Sequence, residues 1–272
     1  MAYCRAIQTG EGVIKYCAGN CSGAVHSVFR RAVNLKMEDA LLCIATPDVG
    51  GAYHCLNVAE QDLSFFVPGQ PVRFSLEGIT AGGTFISLQN VPLYRSPLKP
   101  LLRGTANGSI TTRFKQIMDR KAPHAGVHTG REPELLRLLH TKEHAAAAAT
   151  RLVGLGPGLT PAGDDLLLGY LAITAHMGSD AERLNALRAA ILQNLSRTNN
   201  ISAQMLHDAV FGHYPERAAA VVAALCKGEA ESLTVLLPRL MEIGASSGSD
   251  MAAGMYGALC ACHNAAQASA AV

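Results

Sequence analysis

The residues from Arg151 to Tyr170, RLVGLGPGLTPAGDDLLLGY, constrain this chain more than any other stretch. An apolar entry runs into Gly154, Gly156 and Gly158, then a Thr160-Pro161 pair, then Gly163 and two adjacent carboxylates, Asp164 and Asp165. Glycine tolerates positive φ and lets a ligand come close to the backbone. Thr160 reads as the N-cap and Pro161 as the first residue of a helix, where the missing N–H of proline costs nothing. Leu166, Leu167, Leu168, Leu171 and Ile173 carry that helix to about Met177, with Gly178 as its C-cap. So unbroken an apolar run belongs inside a protein.

A glycine loop feeding a buried helix presents backbone amides and the positive end of the helix dipole, which suit phosphate or carboxylate. Asp164 and Asp165, in the first turn, could stabilise the dipole, bind Mg²⁺ carrying a phosphate, or accept from a substrate amide or ammonium. The spacing is not Walker A, because no Gly-Lys-Ser/Thr follows, and not the dinucleotide fingerprint, because GLGPGL lacks the third glycine. The plain alternative is a tight capped loop with no ligand.

Two later segments share the design. Arg197-Thr198-Asn199-Asn200-Ile201-Ser202 leads into a helix with Met205, Leu206, Ala209 and Val210 that stops at Gly212. Arg197 is the best-placed cation for a carboxylate or phosphate, while Thr198 and Ser202 can serve as caps. Gly244-Ala245-Ser246-Ser247-Gly248-Ser249-Asp250 precedes MAAGMYGALCA, with Ser249 or Asp250 as N-cap and small residues that permit close helix contact. Three such starts could converge on one pocket for small polar or anionic groups. The expected site is Asp164, Asp165 and Arg197 as reacting groups, with Gly156, Gly158, Thr160, Gly163, Thr198, Ser202, Ser247 and Gly248 binding the anion.

The rest of the chain frames that site. Residues 1–100 read as a β-rich domain: LLCIAT, VRFSLEG and TFISL are β-prone, separated by Pro and Gly turns, with one helix expected from about Ala24 to Leu35. Residues 101–272 read as mostly α-helical, so the fold class is α+β, with the boundary between Ser96 and Gly108. One helix is marked by Ile110, Phe114 and Ile117; another opens at Pro133 and runs toward the alanines at 145–149. Val91 to Arg131 holds eight cations (Arg95, Lys99, Arg103, Arg113, Lys115, Arg120, Lys121, Arg131) against Asp119, in a chain of net charge +2. Such a stripe favours anionic partners; few aromatics and no nucleic-acid motif accompany it, so nucleic acid is disfavoured.

With 49% hydrophobic and 16% charged residues the chain is globular. It has no uncharged apolar span of membrane length, and MAYCRAIQTGEG is not an export signal, so eight reduced cysteines in the cytoplasm are expected. Cys17-x-x-x-Cys21 and Cys260-x-Cys262-His263 are half-sites without a matching half for metal. No Ser-His-Asp order, nucleophile elbow or zinc signature appears.

GLGPGLTPAGDDLLLGYL at 154–171, RTNNISAQMLHDAVFGHYPE at 197–216 and IGASSGSDMAAGM at 243–255 resemble the three motif blocks of a family long labelled a domain of unknown function, which includes the AllH subunit of oxamate carbamoyltransferase from anaerobic allantoin degradation, a branch of purine catabolism. The resemblance covers roughly the C-terminal two thirds. It implies a part in moving a carbamoyl group between carbamoyl phosphate and oxamate, giving oxalurate and phosphate, beside an acyl-CoA-synthetase-like subunit. A non-catalytic metabolite-binding or partner-docking subunit is the alternative, and a homo-oligomer is compatible with either. The family pattern has Arg-Thr-Thr where Arg197-Thr198-Asn199 stands here, and Gly-His-Thr-Ser-Gly where Gly244-Ala245-Ser246-Ser247-Gly248 stands, so this chain lacks that loop's histidine.

Overall fold

Short β-prone runs bury one face each only if they pair, and here they pair into a closed ring. The computed structural model describes residues 2–96, 107–121, 132–178 and 180–270, in two compact units, Met1–Ser96 and Pro97–Val272. In the first unit β1 (Ala2–Gly10) is followed by helix α1 (Glu11–Ala18) and then β2 (Ser22–Val28), β3 (Ala32–Lys36), β4 (Leu41–Ala45), β5 (Cys55–Val58), β6 (Pro71–Ser75), β7 (Gly78–Ala81), β8 (Thr84–Ser87) and β9 (Leu93–Tyr94). The sheet order is β5-β4-β3-β2-β6-β7-β8-β1-β9, and β5 also pairs with β1, closing eight strands into a barrel. Most pairings are antiparallel; β1 with β8, β1 with β9 and β4 with β5 are parallel.

Alternation fills the barrel: Val33 and Leu35 of β3, Val72 and Phe74 of β6, and Ile79, Ile86 and Val58 are buried together, with Val13 and Cys17 of α1 joining the same core. The helix expected from Ala24 to Leu35 is instead the β2–β3 hairpin, with Val25 opposite Leu35 and Val28 opposite Val33. Phe29 N–H bonds to the Ala32 carbonyl at 2.8 Å and Arg30-Arg31 make the turn. The β-branched residues Val25, Val28 and Val33 suit the pleat, and cross-strand burial overrode the helical spacing.

The second unit is helical: α2 (Gly108–Lys121), α3 (Glu132–Leu138), α4 (Ala145–Leu152), α5 (Ala162–Met177), α6 (Ala181–Asn194), α7 (Asn200–Val210), α8 (Glu216–Lys227), α9 (Leu233–Met241) and α10 (Ser247–Ala270). The helix opened near Pro133 does not run into the alanines; α3 ends at Leu138, and hydrogen-bonded turns through Thr141 precede α4. Helix α5 is the hub, with 15 of its 16 residues buried, as its leucine-rich sequence demands. It packs chiefly on α10, and glycines set how closely. A Cβ on Gly169 would lie 2.0 Å from the Met251 carbonyl oxygen, and one on Gly254 would lie 2.1 Å from the Leu166 carbonyl oxygen. Among the described residues no helix is long and apolar enough to cross a membrane.

Candidate functional site

The loop between α4 and α5 is built from internal hydrogen bonds and positive φ. Gly154, Gly156 and Gly158 have φ of +75°, +113° and +95°, which a side chain would resist. Leu155 N–H donates to the Leu152 carbonyl and Gly163 N–H to the Leu155 carbonyl, both at 2.9 Å. A Cβ at Gly154 would sit 2.3 Å from the Arg197 carbonyl oxygen, so the loop lies directly on the 3₁₀ turn Leu195–Arg197. Residues 157–159 form an exposed apex, and a Cβ at Gly158 would meet nothing within 4 Å. The amides of Gly156 and Gly158 make no hydrogen bond among the described residues.

Asp164 ties the loop to α7. It is 2% exposed; its Oδ1 accepts from Gly154 N–H at 2.8 Å and its Oδ2 from the Thr198 hydroxyl at 2.5 Å. Burial raises its pKa, while bonds from Thr198, the Gly154 amide and Ser202 pull it back toward the ionised form. Asp165 sits in a different balance. Burial pushes it up to about 8, with the negative charges of Asp250 and Asp164 pushing the same way and the Ser247 and Thr160 hydroxyls opposing. Its Oδ2 is buried without a hydrogen-bond partner. The Thr160 and Ser247 hydroxyls are 2.5 Å apart, joining the loop to the start of α10.

The three loop-to-helix starts therefore meet around α5, bringing Asp164, Asp165, Thr160, Thr198, Ser202 and Ser247 together. Several details differ from the reading of the sequence. Thr160 is not the N-cap of α5: the helix begins one residue later, after Pro161, and the Thr160 hydroxyl reaches α10 instead. Thr198 and Ser202 do not cap α7; Asn199 does, accepting from Ile201 and Ser202 amides at 3.0 and 3.1 Å. Asn and Asp side chains are short enough for that reach, which frees Thr198 to face Asp164. Ser249 and Asp250 lie inside the first turn of α10, which already starts at Ser247.

Arg197 joins the cluster by its backbone alone: its guanidinium donates to the Thr150 carbonyl in α4, where it complements a helix C-terminus. The Gly163 and Gly248 amides are spent internally, on the carbonyls of Leu155 and Ile243. Both are packing positions, where a Cβ would stand 2.1 Å from the Leu152 oxygen and 1.9 Å from the Leu240 oxygen.

The sequence reading took Asp250 for a cap and missed it as a third buried carboxylate; it is 0% exposed. A signal was present. Gly163-x-Asp165-x-x-x-Gly169 and Gly248-x-Asp250-x-x-x-Gly254 share one spacing, and they begin the two helices that pack on each other. The contacts are reciprocal: Gly169 faces the residue after Asp250, and Gly254 faces the residue after Asp165.

Among the described residues no three His, Cys, Asp or Glu side chains are grouped to hold a metal ion, and the eight cysteines are free thiols. Within the basic stretch, Arg95 pairs with Glu11 at 3.2 Å, Lys115 with Asp119 at 2.7 Å and Arg113 with Glu231 at 3.8 Å, while Lys99, Arg103 and Arg131 lie outside the described residues. In the barrel unit a hollow of about 630 Å³ opens beside Lys15, Tyr16, Met37 and Asp39; none of the expected site residues lies there.

Comparison with known families matches residues 152–259 to the oxamate carbamoyltransferase subunit AllH and residues 5–93 to the AllH family N-terminal domain. The second match brings in the barrel, which the three motif blocks had left out. No solved structure matches the chain.

Proposed function

The chain belongs to the AllH family, and on that premise we propose that it is a subunit of a carbamoyltransferase that handles carbamoyl phosphate and oxamate, or a closely related small amide and carboxylate, forming or cleaving oxalurate. The observation that carries this reading is the convergence of the glycine loop, the start of α7 and the start of α10 on Asp164 and Asp165. Carbamoyl transfer needs positioning and stabilisation of charge on oxygen more than it needs a protein nucleophile.

In this reading the amides of Gly156 and Gly158, at the open edge of the loop, take an anionic oxygen of phosphate or carboxylate. Thr160 and Ser247 line the approach. Asp164 holds the loop against α7, since both its oxygens are already bonded, and Asp165 meets the ligand with its unpartnered oxygen. Thr198 and Ser202 orient Asp164, while Arg197 fixes the 3₁₀ turn against α4 rather than binding the anion. The chain works in a hetero-complex, beside an acyl-CoA-synthetase-like subunit, in the cytoplasm.

Calorimetric titration of the purified chain with carbamoyl phosphate, with and without Mg²⁺, and with oxamate and inorganic phosphate for comparison, tests the location of the site. Saturable binding that weakens in Asp164→Asn is expected; binding unchanged by that substitution would remove the loop from the site. A non-catalytic docking subunit is the second reading, favoured by Leu159, 51% exposed at the loop apex. Turnover by the chain alone would exclude it.

A further inference from the structure

We infer that the hollow of about 630 Å³ in the barrel unit is a binding site for a small zwitterion, a molecule of the free α-amino acid class with an ammonium, a carboxylate and an apolar body. All its lining residues lie in the first unit, so the site stands or falls apart from the carbamoyl-transfer reading of the second.

Two tight turns and a strand glycine build the hollow. Helix α1 ends where Asn20 takes φ of +48°, with Cys21 N–H donating to the Tyr16 carbonyl at 3.2 Å and Asn20 N–H to the Cys17 carbonyl at 3.4 Å. This Schellman-type stop turns the chain straight into β2 and sets Cys21 and Ser22 beside Tyr16. The β3–β4 connection is as tight: Met37 N–H bonds to the Ala40 carbonyl at 2.9 Å, which leaves Glu38 and Asp39 as the two residues of the turn. The Tyr16 hydroxyl donates to Asp39 Oδ1 at 2.7 Å and joins α1 to that turn. Met37, 4% exposed, is the floor. A Cβ on Gly23 of β2 would stand 2.7 Å from its sulfur, so Met37 packs directly on the strand backbone. The Tyr16 ring rests against Phe74 of β6, with 6.0 Å between centroids.

The charges stand at the rim and the apolar groups below them. Lys15, Glu38 and Asp39 are exposed, Tyr16 and Cys21 half-buried, and Met37 buried. Opposite charges that share one hollow can close on each other, as Lys142 and Glu182 do elsewhere at 2.6 Å. Here they do not. Among the described residues Glu38 makes no hydrogen bond or ion pair, Asp39 bonds to Tyr16, and the Lys15 ammonium stands 5.3 Å from the Tyr53 ring centroid. A ligand with both charges answers both signs at once, its ammonium on Glu38 and Asp39 and its carboxylate on Lys15 and the Ser22 hydroxyl. Its body then covers Met37 and the Tyr16 ring, removing apolar surface from water. A metal ion is a poorer fit, because Cys21, Glu38 and Asp39 line the hollow without being grouped to hold one. The volume falls within the ~300–1,000 Å³ of small-molecule sites, and bridging water fills the remainder.

The test is NMR of the full chain labelled at the methionine methyl groups, with the Met37 resonance assigned as the one missing in Met37→Leu. Three probes of similar length are added separately at neutral pH: L-norleucine with both charges, hexylamine with the ammonium alone, and hexanoate with the carboxylate alone. Norleucine should move the Met37 signal saturably, with half-saturation at about tenfold lower concentration than either singly charged probe. The double substitution Glu38→Gln with Asp39→Asn, in which Asn keeps an acceptor for Tyr16, should weaken norleucine binding by about tenfold, and so should Lys15→Met. Circular dichroism checks that these variants fold. No saturable shift with norleucine, a singly charged probe that binds as well, or variants that bind unchanged would overturn the site. Carbamoyl phosphate takes no part in the titration, so failure here and failure of the transferase reading are told apart.

Discussion

Replacing Asp165 by Asn should make the protein more stable at neutral pH, and the margin should grow with pH. In the folded chain Asp165 is raised from 3.8 to about 8, chiefly by burial, whereas in the unfolded chain it ionises at its ordinary value. The folded state therefore binds a proton that the unfolded state has released. Its contribution is intact below the unfolded value, is lost as pH rises through the window between the two, and levels off above about 8. Each pH unit inside that window withdraws about 1.36 kcal/mol, or about 4 kcal/mol between pH 5 and pH 8. Asn keeps the shape and a donor and does not titrate. The wild-type and Asp165→Asn unfolding free energies, measured by urea denaturation at pH 5, 6, 7 and 8, should thus diverge by about 4 kcal/mol across the series, or about 10 °C in melting temperature. Asp164 and the surface carboxylates remain in both proteins and largely cancel in the difference. Two parallel profiles would refute the reasoning, because Asp165 would then ionise in the folded state as freely as in water.

Other substitutions probe the scaffold around Asp164 and Asp165. Thr198→Val removes the hydroxyl that donates to Asp164 at 2.5 Å and should cost about 1–3 kcal/mol, with Thr198→Ser recovering most of it in the same urea assay. Gly169→Ala places a methyl 2.0 Å from the Met251 carbonyl; the helices must part, and a loss of about 1–3 kcal/mol or more is expected in thermal melts. Arg183, 8% exposed, donates one guanidinium nitrogen to the carbonyls of Leu139 and His140 and to the Tyr170 hydroxyl. Arg183→Met should cost about 3 kcal/mol by orphaning those acceptors, and a melt unchanged by it would mean that water replaces the side chain.

What the sequence made legible was the part written in short-range chemistry. Helix α5 announced itself through Pro161, its leucines and Gly178, and the structure bounds it at Ala162–Met177. The β-prone runs at 41–46 and 84–88 became β4 and β8. The hairpin at 22–36 was misread because Val25, Val28, Phe29 and Ala32 have helical spacing, whereas in the hairpin Val25 and Val28 are set opposite Leu35 and Val33 across a register shift that only the partner strand decides. Barrel closure was not legible at all: the β1–β5 pairing joins residues some fifty apart, and nothing local encodes it. At the site, residue types and their convergence were readable, but individual roles were not. Thr160 and Thr198 look like caps from sequence because the alternative partners, Ser247 and Asp164, lie 87 and 34 residues away.

The same distances bear on how a site proposed to take an anion can be rich in carboxylates. Three helix starts would each welcome a negative charge, and if all were left to a ligand the empty site would carry unanswered amides. Asp164 answers one of them from within, through Gly154 N–H, and in doing so pins the loop to α7. Bonds from an amide and two hydroxyls favour its charge, against the burial that raises its pKa. Asp165 has two hydroxyls and no amide, and burial, with the negative charges of Asp250 and Asp164, pushes it up to about 8. Two adjacent aspartates of identical chemistry are thereby divided: Asp164 is bonded through both oxygens to the loop and α7, while Asp165 is pushed up to about 8 and keeps a buried Oδ2 without a hydrogen-bond partner. Asp164→Asn and Asp165→Asn should accordingly fail in different ways, the first by loosening the loop at every pH, the second by abolishing the pH dependence while leaving the loop in place.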